Sequence, residues 1–244
     1  MVIPDLSTRL DAREIMDDTS IGDDRLTGAL DDLWWTNRLL GGWAATDAVL
    51  DPLLDASDRL HVLDLGTGGA DALAHLVPRA ARRGCHLTAV GLDANPNTLT
   101  YGRKLVRATV PPSLQGRIAL VEGDALDLPY DDDAFDVTLA ALVLHHVHGP
   151  DAVRFLREMD RVSRLGAIVN DLHRHPVAYA AIWLVGRLLP TSAMFQHDAP
   201  LSVRRGFRRD ELHALANTAD WPRASVRWHW AFRYTLSSLS QPSG

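Results

Sequence analysis

The stretch HVLDLGTGGAD, His61 to Asp71, decides the fold of this chain. Its apolar residues, which run up to Leu65, are typical of a strand covered on both faces. Gly66 and Gly68 follow at once, and glycine permits backbone conformations and close ligand approaches that a Cβ atom would obstruct. Asp64 lies just before this turn, where a carboxylate can accept hydrogen bonds from loop amides or meet a cationic ligand group. The stretch therefore predicts a buried strand, a ligand-binding turn and a helix.

Carboxylates also mark the ends of the next two predicted strands. In HLTAVGLDANP an apolar strand ends at Asp93, which follows Asp64 at close to the spacing of an acidic residue that binds ribose hydroxyls in a βαβ unit. In IALVEGDALDLPY a third strand ends and Asp124 follows, beside the backbone amide of Ala125. A carboxylate next to an amide can bind the exocyclic amine and a ring nitrogen of adenine. The three strand ends together predict an adenosine site.

These motifs, in this order, resemble those of the class I S-adenosylmethionine-dependent methyltransferases, especially the small-molecule branch that includes quinone-biosynthesis enzymes. LDLGTGGAD is similar to the family's first motif, GLDANP to its ribose-binding motif, and EGDALDLPYDDDAFDV to its adenine motif and following strand. FLREMDRVSRLGAIVNDL is similar to the next helix and fifth strand, so the resemblance covers most of the chain. One departure is Ala70, where the first motif usually carries a third glycine.

The resemblance implies an α/β fold, with a doubly wound, seven-stranded, mostly parallel Rossmann-like sheet and a reversed last hairpin. It also implies S-adenosylmethionine as cofactor, lying across the carboxyl ends of the first two strands. Arg38, in a helical segment before the first strand, is our candidate for the cofactor's carboxylate, because members of this branch often place an arginine there. The implied cofactor-binding residues are Arg38, Asp64, Gly66, Thr67, Gly68, Asp93, Ala94, Asp124, Ala125 and Leu142.

Two related functions fit the motifs less well. A nicotinamide-dependent dehydrogenase would carry G-x-G-x-x-G, but Asp71 stands where the third glycine is needed. Methylases of adenine or glutamine amino groups carry an Asn/Asp-Pro-Pro-aromatic signature after the fourth strand, where this chain reads LVLHH. We therefore do not expect hydride transfer or methylation of a planar amide or base.

Composition favours a soluble, cytoplasmic enzyme. The formal net charge is -6, which gives no general attraction to nucleic acid. The basic cluster VRRGFRR, residues 203–209, is followed by acidic residues, and we interpret it as a solvated helix start. Cys85 is the single cysteine, so no intramolecular disulfide can form. Since no long uncharged apolar run occurs, we expect no membrane partner. The net charge leads us to expect no nucleic-acid partner either.

The breaks in the pattern divide the chain. We predict an N-terminal helical cap over 1–55 and a methyltransferase core over 56–244, with a helical lid inserted at about 175–207. Cap and lid are rich in tryptophan and tyrosine, which could wall a pocket for an aromatic or apolar small molecule. Packing of the cap onto the sheet, or a homodimer face, is the alternative use of those rings. The residues concerned are Trp34, Trp35, Trp43, Tyr179 and Trp183.

The function we expect is O-methylation of a phenolic, quinone-like or polyketide-type small molecule. Carbon methylation of an activated ring is a close alternative, because the same base and geometry serve both. A cofactor-binding scaffold without methyl transfer is an alternative from another class, although the intact carboxylates and glycines argue against it. A third is an interaction protein with a vacant crevice, which would bind no cofactor.

A phenol benefits from a base that titrates near neutrality, which makes histidine the natural choice. Histidines follow both the fourth and the fifth strand, and we predict His146 or His173 as the base, with Asp171 as an orienting partner. Structural roles for these histidines stay open. We assign no metal, although His146, Asp171 and His173 together would suit a transition metal.

Overall fold

A seven-stranded sheet forms the centre of the protein, which we describe from a computed structural model covering residues 4–22 and 24–239. The strand order is β3-β2-β1-β4-β5-β7-β6, and β7 runs antiparallel to both of its neighbours. This order confirms the predicted doubly wound, mostly parallel sheet with a reversed last hairpin. The strands are β1 Arg59–Leu65, β2 His86–Asp93, β3 Ile118–Glu122, β4 Phe135–Ala141, β5 Ser163–Leu172, β6 Ser225–His229 and β7 Arg233–Ser237.

Helices cover both faces of the sheet. Along β1 the side chains alternate, so that Leu63 and Leu65 join one buried cluster and Val62 joins the other. The first cluster contains side chains of α6 and α9, and the second contains side chains of α2 and α3. The helices are α1 Asp24–Leu39, α2 Gly42–Ala56, α3 Asp71–Arg82, α4 Pro96–Thr109, α5 Pro112–Gln115, α6 Pro150–Arg161, α7 Pro176–Leu188, α8 Ala193–Arg205 and α9 Arg209–Thr218.

The segment before α1 is less helical than its sequence pattern indicated. Residues 4–22 contain one short 3-10 turn, Ile15–Asp17. Short polar side chains bind the local backbone instead: Asp18, for example, accepts a hydrogen bond from the amide of Ser20 at 3.0 Å. Asp198 of α8 holds the turn from outside by accepting from the amide of Ile15 at 2.9 Å. The proposed cap and core keep their boundaries as predictions, and their residues 1–3, 23 and 240–244 lie outside the described part.

The basic cluster at residues 203–209 differs in part from our interpretation. It does include a helix start, because α9 begins at Arg209, but it also includes the end of α8, where Arg205 is buried rather than solvated. Its guanidinium pairs with Glu14 at 3.2 Å and with Asp17 at 2.8 Å. These ion pairs tie the N-terminal segment to α8. Within residues 4–22 and 24–239, no helix has both the length and the apolar character needed to cross a membrane.

Candidate active site

The glycine-rich turn after β1 is built on left-handed backbone. Gly66, Gly68 and Ala70 have φ of +62°, +55° and +59°. A Cβ on Gly66 would come within 2.5 Å of Val143, whereas one on Gly68 would meet, among the described residues, only a carbonyl oxygen at 4.0 Å. Gly66 is therefore required by packing, and Gly68 leaves open space above the strand. Ala70 adopts the same backbone region at a cost of about 1–2 kcal/mol, and its methyl group is fully buried.

Asp64 and Asp93 hold this turn from two sides. Thr67 donates its hydroxyl to Asp64 Oδ2 at 2.7 Å, and the amide of Gly68 donates to Asp93 Oδ2 at 2.8 Å. The other oxygen of Asp93 accepts from the amide of Asn95 at 2.9 Å. Burial raises the pKa of Asp64 to about 7 and also raises the pKa of Asp93. Two carboxylates therefore lie against the turn, as the sequence predicted, with lone pairs left for further donors.

The other predicted cofactor residues are spread along the edge of the sheet. Ala94 and Asp124 are exposed directly after their strands, and Ala125 is half-buried. Asp124 Oδ1 accepts from the amide of Leu126 at 2.8 Å and so shapes its own loop. Leu142 follows β4 with φ of +60°, an unusual conformation for leucine, and contacts the larger of the two cavities described next.

A small cavity of about 40 Å³ lies between the turn and the start of α2. Asp64, Gly66 and Thr67 form one wall of it. Asp71, at the start of α3, forms another and accepts from Asn37 Nδ2 at 3.1 Å and Trp43 Nε1 at 3.0 Å. In the sequence, Asp71 stood out only as a departure from the dehydrogenase motif. Its contacts with Asn37 and Trp43 were not predicted.

Two polar groups in the wall of this cavity are incompletely satisfied. Asn170 donates to the carbonyl of Gly42 at 2.7 Å, but its Oδ1 is buried without a hydrogen-bond partner among the described residues. Arg233, at the start of β7, donates to Asn37 Oδ1 at 2.8 Å. Burial lowers the pKa of Arg233 to about 10, as expected for a cation held away from water. A buried acceptor and a buried cation therefore face the same small space.

Arg38, the arginine predicted for the cofactor carboxylate, lies elsewhere. It is exposed at the end of α1, with its guanidinium 5.6 Å from the ring of Trp34, and it lines neither cavity. The arginine that lines the small cavity is Arg233. No sequence signal pointed to Arg233, because it comes from the last strand and reaches the site only through the antiparallel pairing of β5 with β7.

A second cavity, of about 540 Å³, adjoins the first. Asn37 and Arg233 line both, so the two spaces meet at these residues. The large cavity lies between the N-terminal segment, α1, the two helices α7 and α8, and the β6–β7 hairpin, and its walls are mainly apolar. Its aromatic lining consists of Phe195, Trp228, Trp230 and Phe232.

The aromatic residues that we predicted for the pocket occupy other positions. Trp43 lines the small cavity, and the other four line neither. The aromatic wall comes instead from α8 and the final hairpin, which we had considered only as strands. Alternating aromatic residues in that hairpin, RWHWAF, were the one available signal.

Three polar side chains form a cluster on the wall of the large cavity. His145 Nδ1 lies 2.7 Å from Asp171 Oδ1, and the amide of His145 donates to Asp171 Oδ2 at 3.0 Å. His146 Nδ1 lies 2.5 Å from Asp17 Oδ1. Glu14 lies between the two rings, and burial raises its pKa to about 7 although His146 and Arg205 lower it. We call Glu14, His145 and His146 the Glu–His–His cluster.

The structure separates the two predicted bases. His146 lines the large cavity, whereas His173 lines neither cavity and packs against His175, Phe232 and Tyr234. Burial lowers the pKa of His173 to about 4, and nearby charges add to this effect. Asp171 orients His145 rather than either predicted base. The metal trio of His146, Asp171 and His173 is therefore not assembled, and sequence reasoning missed His145 and Glu14.

The small cavity suits the methionine end of S-adenosylmethionine, which carries one ammonium and one carboxylate group. Asp64 and the unpartnered Asn170 Oδ1 can accept from an ammonium, and the buried Arg233 can donate to a carboxylate. The open space above Gly68, beside Asp93, can admit a ribose. The residues present therefore fit the cofactor that the sequence predicts.

Comparison with known proteins assigns the family. Residues 63–169 match the family model described as a methyltransferase domain. The demethylmenaquinone methyltransferase of Roseiflexus sp. (strain RS-1) is 31% identical over 179 residues, which cover 68% of this chain and 70% of that protein. The chain belongs to the class I S-adenosylmethionine-dependent methyltransferases, as the motifs indicated. It is a methyltransferase of the small-molecule branch, and S-adenosylmethionine is its cofactor.

Two further similarities are more limited. The ajmaline N-methyltransferase of Rauvolfia serpentina is 30% identical over 117 residues, or 47% of this chain and 37% of that protein. The crystal structure of a SAM dependent methyltransferase from Aquifex aeolicus superposes with a TM-score of 0.58 at 14% identity, covering 85% of this chain and 95% of that chain. At 14% identity, the similarity to the Aquifex aeolicus structure supports the fold alone.

The space above Gly68 gives a test of the cofactor position. We expect Gly68→Ala to raise the dissociation constant for S-adenosylmethionine at least tenfold, because the added methyl group would fill space that the ligand needs. The matched control is Gly84→Ala, since Gly84 also has a positive φ, +84°, and its Cβ would meet nothing within 4 Å. Both changes cost about 1 kcal/mol of backbone energy, so calorimetric titration of the two variants separates ligand contact from strain. Equal affinities would place the cofactor elsewhere.

Proposed function

We propose that the protein methylates a hydroxyl group of a phenolic, quinone-like or polyketide-type small molecule that binds in the large cavity. The observation that carries this proposal is the cavity itself: its walls are mainly apolar, and it meets the small cavity at Asn37 and Arg233. A flat apolar acceptor there would lie next to the methionine end of the cofactor. Aromatic rings on the hairpin give such an acceptor faces to stack on.

S-adenosylmethionine supplies an electrophilic methyl group bound to a sulfonium. In the reaction, the acceptor oxygen forms a bond to this methyl carbon as the carbon–sulfur bond breaks. Alignment of the three atoms provides much of the acceleration. The hydroxyl proton passes to His146, so the products are the methyl ether, S-adenosylhomocysteine and a proton that is later released to solvent. The protein thus positions the acceptor and removes one proton.

His146 is the better placed of the two predicted bases. Its ring lines the large cavity and is about one-quarter exposed, 26%. Asp17 holds Nδ1, which leaves Nε2 to accept a proton, so Asp17 takes the orienting role that we expected of Asp171. His173 has no comparable access to the acceptor cavity.

Carbon methylation of an activated ring is the second candidate. The relative named for demethylmenaquinone supports a quinone-type acceptor, which can be methylated on oxygen or on a ring carbon. The same cavity and base would serve, because a proton must leave the ring after the carbon–carbon bond forms. Helices α7 and α8, within the proposed lid at 175–207, wall the cavity in either case.

We expect His146→Ala to lower kcat at least tenfold, which corresponds to about 1.4 kcal/mol of barrier. S-adenosylmethionine affinity should change little, since His146 does not line the small cavity. Product formation on a panel of phenols, hydroxyquinones and polyketide-type aromatics is the measurement, with His148→Ala as a control from the same segment. Turnover of His146→Ala at the wild-type rate would contradict the base assignment. Cofactor binding without turnover of any acceptor would instead support a scaffold.

A further inference from the structure

Both histidines of the Glu–His–His cluster present Nδ1 to an aspartate and Nε2 towards Glu14. Asp171 holds Nδ1 of His145, and Asp17 holds Nδ1 of His146. A hydrogen bond from Nδ1–H to a carboxylate fixes the tautomer in which Nε2 carries the lone pair. The two Nε2 atoms lie 3.7 Å and 3.9 Å from the carboxylate oxygens of Glu14. Three electron-pair donors therefore converge on one point.

One of these donors has no partner. His145 is 2% exposed, and its Nε2 makes no hydrogen bond with the described residues. A buried polar atom without a partner costs about 1–3 kcal/mol, so its retention calls for a ligand. Glu14 is too far from it, at 3.7 Å, for a hydrogen bond. The lone pair of His145 Nε2 points into the cluster, at the wall of the large cavity.

The ligand atoms must draw together to bind a metal ion. The candidate ligand atoms of Glu14, His145 and His146 all lie within 4.8 Å of one another. Bonds of about 2.0–2.1 Å in a tetrahedral site place neighbouring ligand atoms about 3.3 Å apart. The distances from His145 Nε2 to Glu14 Oε1, 3.7 Å, and from His146 Nε2 to Glu14 Oε2, 3.9 Å, exceed this by about half an ångström. Rotation of the three side chains on binding would close these gaps.

We propose that Glu14, His145 and His146 bind a divalent transition-metal ion such as Zn²⁺ or Co²⁺. Two imidazoles and one carboxylate are ligands of this metal class rather than of Mg²⁺ or Ca²⁺. The two carboxylates on Nδ1 complete the carboxylate–histidine–metal arrangement that supports such sites. All three residues line the large cavity, so an ion that they held would lie at its wall.

This site deepens the proposed function, on which its role in the reaction rests. A metal ion there would bind an acceptor through two neighbouring oxygens, such as a hydroxyl beside a carbonyl or beside a second hydroxyl. Coordination favours the deprotonated oxygen, whose proton then goes to solvent while methyl transfer proceeds as above. His146 acts as a ligand in the metal-bound protein and as the proton acceptor in the metal-free protein. The proposed acceptors are therefore limited to molecules that can bind a metal ion through two neighbouring oxygen atoms.

The experiment uses the full chain, treated with a chelator and then titrated with CoCl₂, with the visible d–d bands of cobalt as readout. We expect the bands to saturate at one equivalent of cobalt per protein chain. ZnCl₂ should then displace the cobalt, and calorimetry measures this displacement. His146→Ala and Glu14→Gln should each weaken cobalt binding at least tenfold, while His148→Ala should bind as the wild type does. Circular dichroism checks that the variants are folded, and two variants guard against misfolding of either one.

The outcomes for metal and reaction are distinguishable. The metal site is overturned if the folded wild type shows no cobalt bands, or if the bands are unchanged in both cluster variants. Arg205 and the carboxylates would then form a structural ion-pair network. If methyl transfer persists after chelation and no cobalt bands form, the proposed function stands and the metal site is overturned. Cobalt binding without transfer to any acceptor keeps the site and overturns the proposed function.

Discussion

Asp93→Ala is expected to raise the dissociation constant for S-adenosylmethionine at least a hundredfold, or by about 2.7 kcal/mol. A carboxylate that accepts from two ribose hydroxyls makes two charge-assisted hydrogen bonds, each worth about 1.5–3 kcal/mol. The same side chain holds the amides of Gly68 and Asn95, so the substitution also loosens the turn that faces the ligand. Calorimetric titration of the folded variant is the measurement.

Asn95→Ala separates the two contributions. Asn95 Oδ1 accepts from the amide of Asn97 at 2.9 Å and begins α4, so its loss should lower stability by about 1 kcal/mol. Asp93 keeps its carboxylate in this variant, and we expect the dissociation constant to stay within threefold of the wild type. If Asn95→Ala weakens binding as much as Asp93→Ala does, loop order rather than ribose contact controls affinity. Undiminished affinity in Asp93→Ala would place the adenosine away from the first two strands.

The fold could be predicted because its determinants are local. A strand buried on both faces needs mainly apolar residues, and the strand that ends at Leu65 has them on either side of Asp64 in the sequence itself. The turn after it needs positive φ, which glycine supplies at positions 66 and 68. The order of such units along the chain then restricts the topology to few choices. These signals predict a doubly wound α/β sheet, and the resemblance to the methyltransferase family implied its seven strands and reversed last hairpin.

The side chains around the two cavities could not be assigned in this way. Neither Glu14 nor Arg233 belongs to a core motif, and each reaches the site through contacts with residues far away in the sequence. Adjacent residues on a strand face opposite sides, but His145 and His146 lie on a 3-10 turn, and both face the cavity. His173 lies beyond the end of β5, where a bridge to Phe207 replaces the regular strand, so strand alternation did not predict its direction.

Arg233→Met should have the second largest effect. We expect the dissociation constant for S-adenosylmethionine to rise at least thirtyfold, since truncating one partner of a buried charge pair costs about 2–5 kcal/mol. Burial already lowers the pKa of Arg233, so its charge is unfavourable until a carboxylate arrives. Without ligand, Arg233→Met should therefore melt at the wild-type temperature or above it, and the stabilisation by added cofactor should be lost.

Arg38→Met is the decisive comparison, because sequence alone favoured Arg38 and the structure favours Arg233. Arg38 is exposed beside Trp34, so its truncation should change cofactor affinity less than twofold. The reverse pattern, with affinity lost in Arg38→Met and kept in Arg233→Met, would assign the carboxylate to the end of α1. Arg233 also lines the large cavity, so a third outcome is informative. If Arg233→Met keeps its affinity for the cofactor but shows a raised KM for the acceptor, Arg233 recognises an anionic group on the acceptor.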